Sequence, residues 1–538
     1  NDPTPVAPVG GNSGTTLGQQ RLNAFKQATS IWGTMIDSNV TIVIAADFAA
    51  LQCDTNSITL GQASTAKLEI NTPGAPPNIY VHEALADRLA GYDLNPGLPD
   101  IKAEFNGALL QCSQGMQDWY YGFDGKPSAN DDDLLSVLLH EFGHGLGFSA
   151  QVDDYTGEYL GGSPDVFTAH LYDNQANMLW TDMTDAQRAA SLQNVRHLVW
   201  QGSNVAAMAQ MVLAKGPPRI TPSPSVGGFL GALSEATFGA LLSAGSVHGS
   251  VVVGDPNGIC NGDTPSYPGK VVLFQGGICE AVGLANVAES TGALAVLISD
   301  PAGVAPPSSI EVPPTDAATF PVQIPTIGVT DDDAALLASG ESVTLDSIST
   351  ELVGADAQGR MYMYASNPIV EGSTISHWDP LARPNLMEEP NASFLISHDI
   401  RMEAAALRDI GWAPLSSGGA SGTGGTSGAA GGSGAGGTSG AAGASGTGGA
   451  NGTGGANATG GANGTGGASA SGGTNGAGGT KNETGGTSGT GNGGSSGGSG
   501  DGGGCKCAVG ETPHPGATLV LFAGLGLVTG RRRRARTR

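Results

Sequence analysis

The run His140-Glu141-Phe142-Gly143-His144 sets the tightest condition on how this chain folds. Residues four apart on an α-helix share a face. A helix through this run therefore offers two imidazoles to one ion and holds a carboxylate beside them. Leu134, Leu135, Val137, Leu138 and Leu139 precede it, so the helix is apolar and expected to be buried. Two histidines and a glutamate inside a core need partners, and a metal supplies one. Ser128, Asn130 and Asp131-Asp132-Asp133 bring capping oxygens and negative charge to the helix start. Gly143, Gly145 and Gly147 are expected to break the helix and turn the chain away. H-E-x-x-H on such a helix is the pattern of a zinc hydrolase, with His140 and His144 as ligands and Glu141 as base toward a zinc-activated water.

A catalytic zinc site usually takes three protein ligands and leaves one position open. The compact continuation H-E-x-x-H-x-x-G-x-x-H fails here, because Gly147 fits but Ala150 stands where a third histidine would be. Asp153, Asp154 and Glu158 are nearby candidates, and His377 in Ser376-His377-Trp378-Asp379 is a distant one. Asn385-Leu386-Met387 follows it shortly downstream.

Taken in order, Phe105-Asn106, Trp119-Tyr120-Tyr121-Gly122, the block from Leu139 to Phe148, Ser376-His377-Trp378, Leu386-Met387 and Asp409-Ile410-Gly411-Trp412 resemble the leishmanolysin-like branch of the metzincin zinc proteases. In that branch an insertion separates the helix pair from a late third histidine, and a turn methionine sits beneath the metal. The resemblance implies His377 as third ligand and Met387 as that methionine. It also implies an α+β fold, a twisted sheet beside the helix that carries His140. Val40 to Ala46 is expected to be one of its strands.

The gap from Phe148 to His377 is too long for a loop. Residues 149–224 are read as a mostly helical extension of the catalytic part and a candidate cleft wall, with Trp180, Met183, Arg188, Asn194 and Trp200 as its larger side chains. Beyond it, Gly269–Phe274, Gly292–Ile298 and Ile324–Val329 read as strands, with an alanine-rich helix after Cys279 and a short helix from Asp331 to Leu337. This order resembles the protease-associated (PA) domain over about 226–350. The likeness implies contact with substrates or partners and no chemistry of its own. Asp331-Asp332-Asp333 is read as a cap, which leaves calcium without support in the sequence.

From Ser416 to Gly504 the chain is almost entirely Gly, Ser, Thr, Ala and Asn. With almost no apolar anchors it cannot offset ordering entropy, so it is expected to be a flexible spacer. Cys505, Cys507, an apolar stretch from Pro515 to Gly530 and an arginine cluster follow. That order resembles the myxobacterial C-terminal sorting tags and implies processing near the cysteines. A plain transmembrane anchor is the other reading. The chain starts at Asn1, which is read as the position after a removed signal peptide. The expected division is 1–14 as a tail, 15–225 and 351–414 as the two catalytic parts, 226–350 as the insert, 415–504 as the linker and 505–538 as the sorting tail.

Net charge is −25, and the arginine cluster masks a still more acidic remainder, so no nucleic-acid partner is expected. Cys53 with Cys112 and Cys260 with Cys279 are the natural disulfide pairs of an exported protein, although pairings across domains stay open. His82, His170, His197, His248 and His398 lack partners at ligand spacing.

Together these readings point to an exported monomer whose expected role is a zinc endopeptidase acting on proteins or peptides, surface-anchored or released. The alternatives are a catalytically silent surface binding or adhesion protein that uses the PA domain, and a zinc amidase acting on cell-wall material.

Overall fold

The computed structural model describes residues 2–53, 58–111, 118–128, 131–223, 233–242, 245–300, 310, 321–338, 340–391, 397–414 and 505–509. The expected linker, the apolar stretch Pro515–Gly530 and the arginine cluster lie outside the described residues, as do Cys112 and Asn130. Among the described residues no helix is long and apolar enough to cross a membrane.

The part expected to be catalytic is built around helix α3 (Leu134–Leu146), of which every residue but Ser136 is buried. A helix apolar on all sides has to lie inside the core. It packs against a sheet formed by β1 (Ile44–Ala49), β2 (Ile58–Thr65) and β5 (Ile101–Asn106), with β5 between the other two. β1 runs parallel to β5 and β2 antiparallel to it. The segment Cys505–Val509 adds an antiparallel strand along the outer edge of β2. Two short strands, β3 (Leu68–Ile70) and β4 (Tyr80–His82), pair as a hairpin ahead of helix α2 (Glu83–Ala90). Helix α1 (Leu17–Trp32) packs beside α3, with its Phe25 ring against Phe48 and Phe105 of the sheet and Phe142 of α3, and its Trp32 indole donates to the Leu139 carbonyl at 3.1 Å.

β1 starts later than the expected strand from Val40. Val43 instead engages Asp100, donating its N–H to the Asp100 carboxylate at 2.6 Å and accepting from the Asp100 N–H at 2.8 Å. Residues 149–224 depart further from the reading as a helical extension. They hold a three-stranded sheet of Leu171–Asp173, Met178–Leu179 and Leu198–Trp200, with only two short α-helices, Asp185–Ser191 and Ser203–Val212. Trp180 and Trp200 are fully buried, so they belong to the core and not to a cleft wall. Trp200 packs against the rings of Phe148, Phe167 and Trp378, which joins this segment to the chain on either side of the insert.

The expected insert centres on a seven-stranded sheet. Val247–Val253, Lys270–Gln275, Ala295–Asp300 and Thr326–Thr330 are successive parallel neighbours. Pro218–Ser223, Ser342–Ser347 and Ser234–Glu235 complete it through antiparallel pairs. Val271, Leu273, Ala295 and Leu297 pack into one apolar cluster, while Val272, Phe274, Val296 and Ile298 pack into another. Alternating side chains thus serve opposite faces, as a strand requires. The helix Asp331–Leu337 falls where the sequence places it. Thr330 caps it by accepting from the Asp333 N–H, so the three aspartates sit in a helical first turn.

Cys260 and Cys279 form the expected disulfide. Cys53 is also disulfide-bonded.

Candidate metal centre

Helix α3 starts at a side-chain cap. The Asp133 carboxylate accepts from the Ser136 N–H at 2.7 Å. Asp131–Asp133 otherwise forms a short strand parallel to Asp118–Tyr120, so of the three aspartates the last is the cap. At the other end Gly147 takes φ 119°, a left-handed conformation that a β-carbon would strain. Gly143 and Gly145 do not break the helix, contrary to expectation; both lie within it. Their role is close approach. A β-carbon at Gly143 would collide with Oε1 of Glu388, and one at Gly145 would collide with the Ile101 side chain.

His140 and His144 sit on one face of α3, and their Nε2 atoms lie 3.0 Å apart. His377 arrives from 237 residues away and places its Nε2 3.3 Å from that of His140. A bridge pairing Met363 with Trp378, together with the Tyr364 N–H donating to the His377 carbonyl at 2.9 Å, fixes the segment that carries it. The Trp378 ring is fully buried against Phe148.

All three rings are tied from behind. His140 Nδ1 lies 2.8 Å from the Met387 carbonyl, His144 Nδ1 2.8 Å from the Phe148 carbonyl and His377 Nδ1 2.7 Å from the Ser373 carbonyl. A carbonyl only accepts, so each Nδ1 carries the proton and each Nε2 keeps a lone pair. Nε2 separations of 3.0 Å and 3.3 Å from His140 lie close to the spacing of about 3.3 Å that tetrahedral zinc sets at about 2.0–2.1 Å per Zn–N bond. Burial lowers the pKa of His140 to about 4 and of His377 to about 3, and it lowers that of His144 as well, with the other two rings adding to the effect. The imidazoles are therefore neutral at pH 7, which is the ligating form. This donor set fits zinc.

Glu141 is completely buried on the same helix, and β2 passes so close that a β-carbon on Gly61 would lie 2.9 Å from its Oε1. Asp153 is engaged in a turn with Tyr155 and Thr156, and Asp154 accepts from the Gly372 N–H. Neither residue, nor Glu158, joins the histidine group, which among the described residues consists of His140, His144, His377 and Glu388.

Glu388 is the residue that the sequence reading missed. Its Oε2 lies 3.6 Å from His140 Nδ1 and 3.4 Å from His144 Nδ1, on the side away from the facing Nε2 atoms. Both of its oxygens are buried without a hydrogen-bond partner. Burial, then the Glu403 and Glu141 carboxylates, push its pKa well above the usual range. The signal in the sequence was slight: an acidic residue immediately after Met387. Met387 itself contributes its carbonyl to His140 and packs its half-buried side chain on the core.

The remaining motif residues are structural. The Asp409 carboxylate accepts from the Trp200 indole and from the N–H groups of Asn204 and Val205, capping the 203–212 helix. The Trp412 indole donates to the Leu146 carbonyl at 2.9 Å and anchors the end of α3. Trp119 donates to the Asn106 carbonyl at 2.8 Å. His82 meets Ser149, His197 meets Asn174, His248 meets Thr344, His398 meets Asp133, and His170 stacks on Trp200.

Residues 247–337 match the family model of the PA domain, inside the range expected for the insert. No curated protein matches the chain. Among solved structures, similarity is found to BSAP, a zinc aminopeptidase from Bacillus subtilis, at 18% identity over 27% of this chain and 36% of that one, with a TM-score of 0.21. An aminopeptidase from Aneurinibacillus sp. strain AM-1 matches at 12% identity over 34% of this chain and 42% of that one, with a TM-score of 0.17. The chain thus spans well under half the length of either protein, and likeness this slight carries no inference about activity.

Proposed function

We propose that this chain is an exported zinc-dependent endopeptidase of the leishmanolysin-like metzincin type, carrying a PA domain within its catalytic part. The reading rests on one observation above the others. Three imidazoles, two from one buried helix and one from 237 residues away, turn their Nε2 atoms toward a common point, and each is tied at Nδ1 to a carbonyl.

His140, His144 and His377 would hold the metal. When bound, zinc would supply Lewis acidity for water and for the scissile carbonyl. Glu141 accepts the proton released by the attacking water and delivers it to the leaving amine. The buried surroundings of Glu141 keep bulk water from competing for that proton. Met387 and Glu388 position the two helix-borne rings from behind. The PA domain is read as a surface for substrates or partners, and the tail from Cys505 as a sorting or anchoring signal.

The test is Glu141→Gln assayed on casein and on a peptide blocked at both ends. Zinc content should be unchanged, while cleavage falls about 10²–10⁴-fold. Cleavage of the doubly blocked peptide by the wild type separates internal from terminal attack. Stoichiometric zinc with no cleavage of any peptide would favour a silent binding protein instead.

A further inference from the structure

We propose that Glu83, Asp87 and Asp100 form a calcium site beside the catalytic sheet, separate from the histidine centre. Glu83 and Asp87 are four apart on α2 and so share a face, and Asp100 stands at the entry to β5. One carboxylate oxygen from each lies within 4.8 Å of the others. Relative exposures of 1%, 2% and 4% place all three side chains inside the protein.

Each carboxylate is pinned by one oxygen. Glu83 Oε1 accepts from the Asn95 side-chain amide, Asp87 Oδ1 from the Leu94 N–H at 2.8 Å, and Asp100 Oδ2 from the Val43 N–H at 2.6 Å. The second oxygen of Glu83 is buried with no hydrogen-bond partner, and Asp87 has the Asp100 carboxyl beside it, a contact that needs a shared proton unless a cation stands there. An unpartnered buried carboxylate oxygen is costly, and crowding three carboxyl groups together adds to that cost. No salt bridge reaches any of the three among the described residues. Lys67, whose charge reaches Glu83, is engaged by Glu69 and by Asn95 at 2.9 Å, and Asp93 adds further negative charge.

The donor chemistry selects the ion. All the donors are hard oxygens, with no nitrogen or sulfur, which disfavours zinc. Separations of up to 4.8 Å suit Ca–O bonds of about 2.3–2.6 Å better than the tight octahedron of magnesium at about 2.0–2.1 Å. Backbone carbonyls or water would complete the shell. A cation here would join α2, the loop through Asn95 and the start of β5. Ile101, the next residue, fills the space over Gly145 of α3. The site would therefore stiffen the start of the central strand against which the histidine-bearing helix packs.

The experiment uses the full chain, stripped of metals over a chelating resin and restored with one equivalent of zinc. Calcium chloride is titrated against it, with magnesium chloride as control, while bound calcium and Tm are measured. We expect one calcium per chain and a rise in Tm of about 5 °C near saturation. The double variant Glu83→Gln, Asp87→Asn keeps the pinned acceptor oxygens; it should keep zinc and lose both the calcium and the Tm increment. No bound calcium and no shift at millimolar calcium would overturn the proposal, as would an undiminished shift in the variant. Should the double variant fail to fold, the wild-type titration and the single Asp100→Asn variant decide the matter in the same way.

Discussion

Replacing Gly143 by Ala separates two roles that a glycine in the metal motif could have. In an open helix interior the change would stabilise the protein by about 1 kcal/mol. Here the new methyl group would collide with Glu388 Oε1 and meet Trp32 Cζ2 at 3.3 Å. Trp32 is held by its bond to the Leu139 carbonyl, so Glu388 must give way. Overpacking of this kind costs about 1–3 kcal/mol, enough to cancel or exceed the helix gain. Glu388 follows directly on Met387, whose carbonyl orients His140, so its displacement disturbs a ligand. Loss of such support typically weakens metal binding about 10–100-fold. The assay is zinc competition against a chromophoric chelator, alongside Tm of the metal-free and zinc-loaded proteins. We expect weaker zinc binding in Gly143→Ala and partial recovery when Glu388→Ala is added to make room. A single variant that is about 1 kcal/mol more stable with unaltered zinc affinity would refute this reasoning.

Other consequences can be checked separately. Burial raises the pKa of Glu83 to about 7 and of Asp87 to about 6, above their ordinary 4.5 and 3.8, so the folded state holds more protons than the unfolded state between those values. Calcium-free wild type should therefore lose stability, relative to the Glu83→Gln, Asp87→Asn variant, as pH rises from about 4 to 7, by roughly 1–3 kcal/mol once solvent screening is allowed for. Saturating calcium should flatten that difference, and thermal melts across the range would show it. Trp412→Ala removes a buried ring and its bond to the Leu146 carbonyl. It should destabilise the histidine-bearing part by about 3–5 kcal/mol in denaturant unfolding. Cys260→Ser with Cys279→Ser opens a loop of 19 residues and should cost about 3 kcal/mol, read as earlier unfolding of the PA domain with zinc content unchanged.

The parts of the fold that were legible in the sequence are those whose physics is local. The apolar run before His140 and the four-residue spacing define α3 without reference to the rest of the chain. His377 is further away, and only its pairing with Met387 distinguished it from an ordinary histidine. What stayed hidden depends on contacts distant in sequence. Glu388 matters because Gly143, on another element, leaves it room. Val40–Val43 is apolar enough for a strand, yet Val43 is taken by Asp100. Strands of two or three residues such as Met178–Leu179 and Leu198–Trp200 are too short to show a period, which is why 149–224 looked helical. The antiparallel strands of the seven-stranded sheet alternate with polar residues, as in Ser342–Ser347, and carried no apolar run to find.

Zinc K-edge absorption on the purified chain, compared with His377→Ala, addresses the metal centre most directly. Three imidazole nitrogens at about 2.0–2.1 Å with one oxygen neighbour in the wild type, and loss of one nitrogen together with most of the bound zinc in the variant, is the expected result. A wild type that binds no zinc, or a shell unchanged when His377 is removed, would contradict it.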